Sequence, residues 1–124
     1  MQLGNTYSGN NQIDYGEVYI DGAQAASAWL LGSGGVGTTA YLGGTGTIGS
    51  ISVGATFGDP VLVRPGDAAT NGILTCGGLS LVDPNALAGF AARLNGTTPG
   101  VSYDRLVVNG GVTLANAPLS VTVG

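Results

Sequence analysis

The stretch GTGTIGSISVGATF at residues 44–57 decides how the chain is read. From Thr47 to Val53 small polar and aliphatic residues alternate, and the run stops at Gly54. β-Branched residues at period two, closed by glycine, are the mark of a half-buried strand. Two further segments repeat the design, TNGILTCGGLSLVDP (70–84) and YDRLVVNGGVTLANAPLSVTVG (103–124). Each sets two short strands about a glycine or asparagine corner, at roughly twenty-residue spacing.

Outward from these, Val18-Tyr19-Ile20 precedes Asp21-Gly22, Leu106-Val107-Val108 meets Asn109-Gly110, and Leu119–Val123 alternates cleanly. Asn-Gly and Asp-Gly supply the positive φ of tight turns. An antiparallel sandwich or barrel and a coil of short parallel strands both use such a pattern. The coil is favoured: many runs are short, glycine falls inside strands as well as between them, and the inward residues are small or aliphatic. Helix is scarce. Residues 23–31 (AQAASAWLL) are alanine-rich enough for two turns, and Asp83-Pro84 suits an N-cap and first helical position, with Leu87, Phe90 and Leu94 then on one face. Phe90–Leu94 reads equally as a strand ending at Asn95-Gly96, and periodicity alone leaves 84–94 open between helix and strand.

Composition narrows the chemistry. The 124 residues include 24 glycines, only 8% charged residues, no histidine and no lysine; the cations are Arg64, Arg93 and Arg105. A histidine triad, a His-ligated metal, a lysine Schiff base and a phosphate-loop lysine are therefore excluded. A net charge of −4 offers no footprint for nucleic acid and disfavours anionic membranes. No apolar stretch approaches the roughly 18 residues of a bilayer span, so no membrane insertion is expected. The segment after Met1 is polar and glycine-rich, unlike a signal peptide. Cys76 alternates with apolar neighbours and reads as a buried small hydrophobe.

Several blocks together resemble a known family. LGNTYSGNNQIDYGEVYIDG (3–22), LGGTGTIGSISV (42–53), PGDAATNGILTCGGLSL (65–81) and FAARLNGTTPGVSYDRLVVNGGVTLANAPLSVTVG (90–124) are similar, in order, to the passenger-associated transport repeat, also called the autotransporter-associated β-strand repeat. The resemblance implies an all-β fold, a short right-handed parallel β-helix (a β-solenoid) of about four or five rungs. It places the chain in a bacterial secreted or cell-surface autotransporter passenger, as a fragment of a longer protein acting as a non-catalytic structural or adhesive scaffold. One solenoid domain, 1–124, is expected: a repeat-like N-terminal rung at 1–22, an irregular insertion at 23–41, and regular rungs over 42–124. The repeat has no catalytic signature, so no functional residue carries over.

The candidate chemistry lies in the carboxylates. Asp14, Glu17 and Asp21 fall within eight residues and, with backbone carbonyls, are a candidate Ca²⁺ site, although the spacing is not that of an EF-hand. Solvated turn residues are the plainer reading. The enzymatic alternative is a Ca²⁺-assisted hydrolase of an ester or lactone, with Asp14 or Glu17 as base toward water and Tyr15 or Tyr19 donating a hydrogen bond. Asp59, Asp67 and Asp83 beside Pro or Gly read as turn caps, and Asp104-Arg105 as an outward ion pair. Ser33 lacks a base, Gly43–Gly46 lacks the lysine of a phosphate loop, and Asn95-Gly96-Thr97 is an incidental glycosylation sequon. Trp29 is expected to plug the coil's end. A glycan-binding module is a second alternative, provided that the tyrosines (Tyr7, Tyr15, Tyr19, Tyr41, Tyr103) and Trp29 form a ladder. Terminal rungs expose unpaired backbone, so self-association through the solenoid ends is expected.

Overall fold

The computed structural model describes residues 8–32, 39–54 and 60–124, and within them the chain is all-β. Its strands are β1 (Asn11–Ile13), β2 (Gly16–Tyr19), β3 (Ala23–Gln24), β4 (Trp29–Leu31), β5 (Ala40–Gly43), β6 (Thr47–Ile48), β7 (Ile51–Val53), β8 (Val61–Val63), β9 (Ile73–Cys76), β10 (Leu79–Val82), β11 (Ala88–Leu94), β12 (Arg105–Val108), β13 (Val112–Ala115) and β14 (Leu119–Val123). They form three sheets, ordered β1-β4-β7-β10-β13, β14-β11-β8-β5-β2 and β12-β9-β6-β3. Every ladder between them is parallel, each strand pairing with the third one along. The chain visits the sheets in one repeating cycle, an arrangement compatible with a β-solenoid.

The period-two alternation explains this stacking. Asn11, Trp29 and Ile51 stand in register, as do Ile51, Leu79 and Val112. In the second sheet Ala40, Val61 and Ala88 make one inward column, beside Leu42 and Val63. Leu74 and Cys76 supply the third face, and these residues, with Trp29, Ile51 and Leu79 but without the exposed Val112, join a single core. Full burial of each Leu, Ile or Val contributes roughly 1.5–3 kcal/mol. Short parallel strands of two to seven residues, stacked in register, bury this set without a helix.

Glycine is required where corners stack. Gly44 sits at φ +108, and a side chain there would collide with the Ile20 backbone. Gly46 approaches the Gly22 carbonyl so closely that no Cβ fits. The Gly43–Gly46 run is thus corner geometry.

Neither candidate helix forms, and the alternative left open over 84–94 resolves as a turn and a strand. Residues 23–31 hold β3 and β4, with Trp29 and Leu31 buried on alternate positions and Leu30 between them half-exposed. Packing of this two-sided pattern outweighs alanine's helix propensity. After Asp83 the chain makes a turn and no helix: Ala86 donates its N–H to the Asp83 carbonyl and lies at φ +55, and β11 follows. Trp29 lies in β4, one strand in from the edge β1, so it belongs to the core and does not plug an end.

Candidate functional site

The three clustered carboxylates turn to three different partners. Asp14 Oδ1, just beyond β1, accepts a hydrogen bond from Gln12 Nε2 at 2.6 Å. Asp21, beyond β2, accepts from the Thr45 N–H at 3.0 Å and hydroxyl at 3.1 Å, tying one corner to the next. Glu17 points outward from β2 and pairs with Arg64 at 3.0 Å. Among the described residues no three His, Cys, Asp or Glu side chains converge to hold a metal ion. Tyr15 is exposed, and Tyr19 belongs to the Arg64 cluster.

That cluster gathers Glu17, Tyr19, Tyr41 and Arg64 on one side of the second sheet. Glu17 is in register with Tyr41, and Tyr41 with Leu62, which sets all three on the outer face of the second sheet. Arg64, just past β8, lays its guanidinium 4.3 Å from the centre of the Tyr41 ring. Its Nη2 donates to the Tyr19 hydroxyl at 2.8 Å as well as to Glu17. A hydrogen bond from Tyr19, with the Arg64 guanidinium, holds the Glu17 carboxyl below its usual range. Burial and the carboxylate beside it push the Tyr19 phenol up. Burial pulls Arg64 down, but its bonds to Tyr19 and Glu17 outweigh that and its net shift is upward. A base toward water needs a free carboxylate near neutrality. Glu17 is instead fixed as an anion by its ion pair. These partners lie 45 and 47 residues from Arg64, so sequence spacing gave no warning of them.

A groove of about 190 Å³ runs beside the cluster, lined by Tyr41, Leu62, Arg64, Ala91, Ala92, Arg93, Ser120 and Thr122. Both arginines at its rim are already paired, Arg64 with Glu17 and Arg93 with Asp104. Nearer the N-terminal edge of the first sheet, Asn10, Asn11, Gln12, Ala28, Trp29, Leu30 and Ser52 line a cavity of about 410 Å³. The Trp29 Nε1 is buried there without a hydrogen-bond partner.

The expected Asp104–Arg105 pair is replaced by another. Arg105 begins β12 and is exposed, while the Asp104 side chain is wholly buried and meets Arg93, Oδ2 to Nε at 2.8 Å. Asp104 also accepts from the Gly72 N–H at 3.0 Å and the Arg93 N–H at 2.9 Å. Arg93 Nη2 donates to Asp104 Oδ1, the Pro65 carbonyl and the Thr70 carbonyl. The reason is the stacking of the chain: the Gly72 and Arg93 N–H groups, 32 and 11 residues away, are brought together and need an acceptor, which Asp104 supplies. The clip joins the 65–72 corner, β11 and the start of β12.

The remaining described acids, Asp67 and Asp83, cap turns. Asp67 Oδ1 accepts from the Ala69 and Thr70 N–H groups, both at 2.7 Å, and these bonds, Thr70's first, lower its pKa. Asp83 accepts from Asn85 at 3.1 Å and Leu87 at 2.8 Å. Asp59, Ser33 and Tyr7 lie outside the described residues. Cys76 is fully buried, and burial pushes its thiol up to about 11. Tyr41 stands in register with Glu17 and Leu62, and Tyr19 with Gly43, so no aromatic ladder forms among the described residues. Comparison with protein-family models, with curated proteins and with solved structures gave no match.

Proposed function

We propose that the chain is a right-handed parallel β-helix segment of about four or five rungs, serving as a non-catalytic structural or adhesive scaffold. The setting is the one its resemblance to the passenger-associated transport repeat implies, a secreted or cell-surface protein of the autotransporter passenger kind. One observation carries the reading: the polar side chains that could do chemistry are used to hold the coil together. Glu17 and Arg64 bridge β2 to the end of β8, Asp21 joins corners, and Asp104 and Arg93 clip three segments. A surface of short, sparsely charged, in-register strands suits a spacer or contact surface better than a reaction centre.

The test is thermal unfolding of the purified chain with Ca²⁺ and with chelator. The scaffold reading expects the same midpoint in both. A ligand bound only by the folded form at a hundred times its Kd adds about 2.7 kcal/mol, which a midpoint reports readily. A chelator-sensitive midpoint, abolished by Asp14→Asn or Glu17→Gln, would show a native-state Ca²⁺ site, and ester or lactone hydrolysis lost in the same variants would then overturn the reading in favour of a Ca²⁺-assisted hydrolase at Asp14, Glu17 and Asp21.

A further inference from the structure

Three Asn-Gly pairs fall in the described residues, at Asn71-Gly72, Asn95-Gly96 and Asn109-Gly110. Each carries a latent reaction, in which the glycine backbone nitrogen attacks the asparagine Cγ and closes a five-membered imide. Glycine leaves that nitrogen unshielded and its backbone free to turn. The pairs share this chemistry but not their surroundings.

At Asn71 the nitrogen is held. The Gly72 N–H donates to the buried Asp104 carboxylate at 3.0 Å, and Asn71 Nδ2 donates to the Val101 carbonyl at 3.1 Å. Gly72 is also pressed so closely on the Gly66 backbone that no Cβ fits. Asn109-Gly110 is exposed, but it forms the corner between β12 and β13, stacked on the corner between β9 and β10. Asn109 donates its N–H to the Cys76 carbonyl at 3.0 Å, and Gly110 lies against the Gly77 carbonyl. Cyclisation must rotate the asparagine backbone, which this stacking resists. Asn95-Gly96 differs. It opens the excursion 95–104 between β11 and β12, and every residue from Leu94 to Pro99 is exposed. The Asn95 N–H donates to the Ser102 carbonyl at 2.6 Å, but among the described residues no bond engages the Gly96 N–H. Among those residues the only atoms close to a Cβ at Gly96 would be those of the Ser102 side chain, from the same excursion. Asn95 also lines an open cavity of about 440 Å³ with Thr70 and Arg93, which admits water to its side chain.

We propose that Asn95 is a site of spontaneous deamidation, a thermolabile asparagine that needs water alone as co-reactant. The Gly96 nitrogen bonds to Asn95 Cγ, and the side-chain amide leaves as ammonia with the Gly96 proton. Water then opens the resulting succinimide. Cleavage between Cγ and the nitrogen gives aspartate; cleavage at the backbone carbonyl gives isoaspartate, with the chain rerouted through the side chain. Either product adds a negative charge at the cavity that Arg93 lines.

Trypsin cuts after arginine and spares Arg64-Pro65, so it places each pair on its own peptide: Asn71 in 1–93, Asn95 in 94–105 and Asn109 in 106–124. The folded chain is held at mildly alkaline pH, digested at intervals and mapped by mass spectrometry, beside a sample kept in guanidinium chloride. In denaturant the three pairs should convert at similar rates. In the folded chain 94–105 should gain the mass of amide-to-acid exchange at close to its denatured rate, as separable aspartate and isoaspartate forms. Asn71 should fall behind its own denatured rate by roughly ten- to a hundredfold, because a hydrogen bond to a charged group must open first. Asn109 should also lag Asn95. Faster conversion at Asn71 or Asn109 than at Asn95, equal rates at all three in the folded chain, or aspartate without isoaspartate in 94–105 overturns the assignment.

Discussion

At the scale of single residues, Asp104 is the side chain on which most rests. Its carboxylate is buried and satisfies the Gly72 and Arg93 N–H groups together with the Arg93 guanidinium. Asp104→Ala leaves the two N–H groups and Arg93 Nε without their acceptor and the guanidinium without its counter-ion, so about 3–5 kcal/mol of stability should be lost in a urea titration. Asp104→Asn, which keeps an acceptor oxygen, should lose less. Two exposed acids set a milder dependence on acidity. Glu17 and Asp67 have pKa values below their unfolded ones, so their contribution is full above the usual carboxylate range. It disappears as pH falls through the lowered folded values. The unfolding midpoint should therefore drop on acidification below about pH 4, and Asp67→Asn should flatten that drop; an equally steep profile in the variant would refute the assignment. Cys76 supplies a third check. With its thiol buried and raised to about 11, it should resist a thiol reagent in the native state at neutral pH and react once the chain is unfolded.

At the scale of elements, strands with clean alternation were legible from sequence and those carried by packing were not. Thr47–Val53, read as one run, becomes β6 and β7 with a corner at Gly49, and the 70–84 segment becomes β9 and β10. Residues 23–31 misled because alanine favours helix locally, while Trp29 and Leu31 gain more from burial beside Ile51. The 84–94 segment was ambiguous because Asp83-Pro84 starts a helix and a turn with the same cap. The structure resolves it at Ala86, whose left-handed backbone costs a non-glycine residue roughly 1–2 kcal/mol. Ala86→Gly should relieve that strain and, after glycine's greater unfolded-state entropy, raise stability by about 0.5 kcal/mol. A lower midpoint would show that the Ala86 side chain contributes more than its backbone costs.

At the scale of the molecule, a parallel coil is legible in repetition, whereas its polar partnerships are not. Repetition of strand, glycine corner and strand is local. The pairing of Arg64 with Glu17, and of Arg93 with Asp104 in place of Arg105, depends on which corners stack, a non-local outcome that spacing does not encode. Stability in such a coil is close to a sum of nearest-neighbour terms, since each turn touches only those above and below. A core residue in mid-coil should then matter far more than its counterpart at the end. Leu81 of β10 lies between β7 and β13 and is 1% exposed, whereas Leu114, next in its column on the last described strand of the sheet, is 59% exposed. Leu81→Ala should cost about 2–5 kcal/mol by cavity formation, and Leu114→Ala under about 1 kcal/mol, in chemical denaturation of dilute monomer. Hydrogen exchange at that dilution should show the same gradient, slowest in β7 and β10 and fastest in β13 and β14, where every residue is exposed. Equal costs for the two substitutions would mean that the chain unfolds as a closed globule, with no nearest-neighbour gradient along its axis.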